Sequence, residues 1–87
     1  MKILKELIKR QIAGDTVLVP VGKAVYDANG LFILNDVGAF LWDLLPEKET
    51  PQQLVDCLLE EYEVDAATAE ADVNAFVQKL RSMGILA

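Results

Sequence analysis

Eighty-seven residues make one small domain with a thin core, because a chain this short buries only about 60% of the surface its extended form exposes. Apolar residues are 53% of the chain and mean hydropathy is +0.27, which excludes a disordered segment; some of this apolar surplus is expected to face a partner. A net charge of −6 from fourteen acids and eight bases argues against a nucleic-acid partner, because phosphate neutralisation needs clustered Lys and Arg.

Lys2, Lys5, Lys9 and Arg10 make the N-terminus basic, and residues 1–6 read either as a helical turn or as a frayed start. Residues 7–20 read as a hairpin: Ile8, Arg10 and Ile12 alternate with Lys9 and Gln11, Ala13-Gly14-Asp15 is a turn, and Thr16 to Val19 are β-branched or apolar before Pro20. In residues 21–30, Lys23 to Asp27 fit a short strand or a loop, and Asn29-Gly30 turns into a third strand over 31–34. Three short strands are marginal alone, so one face must be covered.

Three helices follow. The first spans about 36–45, capped by Asn35, with Val37, Phe40, Leu41, Leu44 and Leu45 as its apolar stripe and Pro46 as its stop. Gly38 sits one turn in, where it costs about 1 kcal/mol against Ala, so a close neighbour is expected there. Trp42 lies to one side of that stripe and either seals the base of the domain or sits at a contact surface. The second helix opens with Thr50, Pro51 and Gln53, a capping box with Pro at the first helical position. Its buried face is expected to be Leu54, Val55, Leu58, Leu59 and Tyr62. The third begins near Ala66 behind Asp65, with Ala69, Val73, Phe76, Leu80 and Met83 on one side and Val77 widening the stripe. Gly84 is its C-terminal stop, with Ile85 packing back. The fold class is therefore α+β, winged-helix-like, with a three-stranded antiparallel sheet followed by three helices.

The chain has no histidine, which removes the commonest general base and metal ligand. Cys57 lacks a partner for a disulfide, reads as a small boundary residue, and suits a reducing, cytoplasmic setting. The glycines are turn punctuation, not a phosphate loop, and Glu60-Glu61 point to different sides of a helix. No catalytic, metal or cofactor site is expected, and no apolar run approaches the ~20 residues of a membrane span.

The stretch NGLFILNDVGAFLWDLL, followed by Leu54-Val55, Leu58 to Tyr62, and Asp72 to Val77 with Leu80 and Gly84, resembles the PqqD-like family over nearly the whole chain. That resemblance implies a recognition element for ribosomally made precursor peptides. Their leader adds as a strand beside the third strand, against the third helix, and is presented to a modifying enzyme, often a radical SAM protein. Carried onto this chain, the peptide-binding residues would be Leu31, Phe32, Ile33 and Leu34 on the strand, Val73 and Val77 as an apolar wall, and Arg81 for an acid of the leader. The span 19–29 is longer than a tight hairpin and sets the chain apart from quinone-pathway members, so quinone biosynthesis is not assigned. Two other readings compete: a homodimer paired through an open sheet edge, and a winged-helix DNA-binding regulator. Asp56, Glu60, Glu61, Glu63, Glu70 and Asp72 on the helices disfavour DNA.

Overall fold

The computed structural model describes residues 1–21 and 32–87, Phe32 by its backbone alone. The order is β1 (Leu7–Ile12), β2 (Asp15–Pro20), β3 (Phe32–Leu34), α1 (Asp36–Leu44), α2 (Pro51–Glu61) and α3 (Ala66–Ser82). The sheet is antiparallel in the order β1-β2-β3, and three helices follow it, so the expected winged-helix-like α+β architecture is present. The expected Asn29-Gly30 turn, the segment from Lys23 to Asp27, and Leu31 lie outside the described residues.

The hairpin turns on two residues with positive φ, Ala13 at 52° and Gly14 at 87°, the geometry whose twist matches antiparallel strands. Asp15, expected in the turn, already pairs with Ile12. Leu18 lies opposite Lys9 and Phe32, and Val17 opposite Arg10 and Ile33, so side chains alternate between two faces. The inner face puts Leu18 and Leu34 into the core. From that same side Lys9 reaches Asp43 of α1, Nζ to Oδ2 2.5 Å. The outer face leaves Ile8, Ile12 and Ile33 exposed around a buried Val17.

Residues 1–6 are neither a helical turn nor frayed. Ile3 bridges Leu86, the Leu4 N–H donates to the Ile85 carbonyl at 2.7 Å, and the Ala87 N–H to the Lys2 carbonyl at 3.0 Å. The strand-like start is thus stitched to the segment after α3, where Gly84 at φ 71° turns the chain so that Ile85 and Leu86 enter the core.

Each helix starts as its sequence directs. Thr50 Oγ1 accepts from the Gln53 N–H, and Gln53 Oε1 accepts from the Thr50 N–H, completing the capping box. Asp65 Oδ1 accepts from the Thr68 N–H at 2.6 Å; that bond, then one with the Thr68 side chain, holds the carboxyl below its ordinary value. The folded value lies under the unfolded one, so the contribution is full above the ordinary carboxylate range and is lost as pH falls through the lowered value. Asp65→Asn caps comparably without titrating. Its melting temperature is expected to fall less steeply than wild type between pH 5 and pH 3, as about expected for loss of one carboxylate's linkage. Parallel acid limbs in a thermal-melt series would remove Asp65 from the acid response.

Two packing expectations change. Leu59 is 38% exposed, because it lies about 100° further round α2 than Leu58. On α3 the buried column is Ala69, Val73, Val77 and Leu80, while Phe76 is half-buried and Met83 is 41% exposed. The stripe is centred one column over from its expected position, with Val77 at its heart. Trp42 is buried in the main cluster and seals it. Phe40 packs edge-on against Tyr62 with ring centroids 5.5 Å apart.

Candidate functional site

β2 occupies one edge of β3, and among the described residues nothing pairs with the other. An unpaired edge offers a row of backbone donors and acceptors to any extended chain. The opposite sheet edge, on β1, carries Lys9 and Arg10 at its middle, the kind of charge that blunts an edge. β3 reads Phe-Ile-Leu and has no such guard.

Beside that edge runs a cleft of about 290 Å³. One wall is Ile33, Leu34 and Asn35 with Val37, Gly38 and Leu41 of α1. The other is the flank of α3 bearing Asp72, Ala75, Phe76 and Lys79. Only Asn35 separates β3 from α1, and its side-chain oxygen accepts the Gly38 N–H at 2.7 Å, so edge and helix are held in one piece. Leu34 and Leu41 are anchored in the core beneath, and the cleft has a fixed apolar floor.

Gly38 is explained by this junction. A Cβ there would lie 3.2 Å from Asn35 Oδ1 and 3.3 Å from Leu34 Cδ2. The neighbour it expected is β3 and the cap themselves. The oxygen is fixed by its capping bond and the leucine by the core, so neither yields freely. Gly38→Ala is therefore expected to forfeit the usual gain of about 1 kcal/mol for this exchange in a helix, with no rise in melting temperature. A Tm increase of several degrees would show that the junction has slack.

The residues expected at the site do not all meet there. Ile33 and Leu34 line the cleft. Phe32 belongs to the same strand by its backbone, and Leu31 lies outside the described residues. Val73 and Val77 form no exposed wall: they are 0% and 2% exposed, enclosed by the core. Arg81 is on the opposite flank of α3, where its Nε donates to the Ala87 carbonyl at 3.0 Å. Their places in the cleft are taken by Asp72, Ala75, Phe76 and Lys79. A helical stripe has two flanks, and periodicity does not say which one meets the sheet edge. The signal within the sequence was Asp72, Ala75, Phe76 and Lys79 at i, i+3, i+4 and i+7, a column of its own beside the core column.

Among the described residues no group of three or more His, Cys, Asp or Glu could hold a metal ion, and no helix is long and apolar enough to cross a membrane. No curated protein matches the chain. Two solved structures resemble it. TbiB1 in complex with the TbiA(beta) leader peptide is 31% identical, with a TM-score of 0.73 over 99% of this chain and 94% of that one. A lasso peptide synthetase B1 complexed with the leader peptide is 27% identical, with a TM-score of 0.73 over 99% of this chain and 95% of that one. Residues 15–86 match the family described as coenzyme PQQ synthesis protein D, and at more than half the chain's length that match makes the protein a member of this family.

Proposed function

We propose that this protein binds the leader of a ribosomally made precursor peptide and holds it for a modifying enzyme, without itself performing chemistry. The observation that carries the reading is the edge of β3 that none of the described residues pairs with, beside the cleft formed with α3. An extended peptide gains backbone hydrogen bonds from such an edge and side-chain specificity from the neighbouring cleft. The edge is preformed by the Asn35 junction, which lowers the ordering cost of binding. Both similar structures are leader complexes, which supports the same ligand class here.

Those complexes support a synthetase-type partner. A radical SAM partner rests on the family resemblance alone, and co-purification with each candidate separates the two. The reducing setting suggested by the lone Cys57 supports a cytoplasmic location. The test is titration of isotope-labelled protein with candidate precursor leader peptides. Amide shifts are expected at Ile33 and Leu34; saturable binding that leaves both unmoved would place the ligand elsewhere.

Homodimerisation is favoured by one observation, the exposed Ile8, Ile12 and Ile33 on the outer sheet face. Arg10 sits on that same face opposite Val17, and two copies packed there would bring like charges together. Light scattering at rising concentration decides it: a monomer throughout removes this reading.

A further inference from the structure

The groove has a charge and an apolar seat at a fixed spacing, and that spacing specifies a ligand. Asp72 and Phe76 lie on the cleft side of α3 four residues apart, about 6 Å along the helix axis. In a β-strand, two side chains on the same face are two residues and about 7 Å apart. One strand lying along the cleft therefore reaches both with side chains separated by a single residue. We propose that the groove selects a peptide carrying a basic side chain at Asp72 and a large apolar side chain on Phe76, two positions apart in the bound strand; this rests on the leader-binding reading above.

Five observations carry it. Asp72 is exposed and takes no part in the ion pairing of the described residues, where Lys9 and Asp43 are the pair found, so its charge is available to a ligand. Lys79, one turn beyond Phe76, is already engaged within the protein. Phe76 is half-buried, its ring packed against the core and its remaining surface turned to the cleft with Val37, so it offers a supported apolar seat. At about 290 Å³ the cleft is at the small end for ligand pockets, suited to one large side chain. The net charge of −6 adds a field that draws a cationic peptide and repels an acidic one. The spacing fixes the offset of the two ligand residues and leaves either chain direction open.

The experiment is a selection from a randomised twelve-residue peptide display library, run in parallel on the full chain and on Asp72→Lys. Lysine is a good helix former and position 72 is exposed, so the variant keeps its fold. The wild type is expected to enrich Lys or Arg two positions from Leu, Ile or Phe, at least tenfold over Asp or Glu at that place. The variant is expected to reverse the charge preference and keep the apolar one. The same charge preference on both proteins would overturn the proposal. One selected peptide is then titrated while the Ile33 and Leu34 amides are followed. If they shift but charge preference ignores Asp72, this inference alone falls. If they do not shift, or nothing is enriched, the leader-binding reading falls with it.

Discussion

Val77→Asp (V77D) is expected to leave most of the chain unfolded at neutral pH. The substitution removes a valine that is 2% exposed, forfeiting about 2 kcal/mol of apolar burial. It also asks the core to take a carboxylate, at several kcal/mol more. The column around it is Ala69, Val73 and Leu80, none of which can donate a hydrogen bond to the new group. Domains are stable by roughly 5–15 kcal/mol, and one this small belongs at the lower end. Far-UV circular dichroism and a urea melt check the result. Val77→Ala is the graded control, expected to lower stability by about 2 kcal/mol and remain folded. Arg81→Ala, on the exposed opposite flank, is expected to change stability by less than about 0.5 kcal/mol. A folded V77D with near-wild-type melting would mean that α3 does not bury the face described.

The same helix shows what the sequence could and could not reveal. Its start at Asp65, its stop at Gly84, and the burial of Ala69, Val73 and Leu80 follow from local chemistry and a period of 3.6 residues. The capping box at Thr50 and the Asn35 junction are equally local, which is why they are legible without a fold. The position of the cleft is not local. Val77 and Phe76 are both apolar neighbours of the stripe, and either could be its centre. The choice depends on how α3 rotates against α2 and the sheet, which is a property of the assembled core. Residues 1–6 failed for a similar reason. The backbone partners of Lys2, Ile3 and Leu4, in Ile85 to Ala87, are some eighty residues away, and no local pattern announces them. Gly38 sits between the two cases: the sequence said that something approached closely, and the structure identified Leu34 and the Asn35 cap.

Ala75→Arg is expected to weaken leader binding at least tenfold, about 1.4 kcal/mol, with the fold unchanged. Ala75 is exposed and lies on the cleft wall of α3 between Asp72 and Phe76. Arginine is close to alanine in helix propensity, and an exposed substitution of this kind shifts stability by about 0.5 kcal/mol at most. The long cationic side chain would occupy a cleft of about 290 Å³ and contest the space a bound strand needs. Asn74→Arg adds the same charge on an exposed position about 100° round α3 from Ala75, on the side away from Asp72, Phe76 and Lys79, and serves as the control for net-charge effects. Isothermal titration with the cognate leader reads both, and a thermal melt confirms that each is folded. Loss of affinity in Ala75→Arg alone places the peptide between β3 and α3. Equal affinity in both would mean that the strand does not lie against this flank of α3, and the open edge of β3 would then act without the cleft beside it.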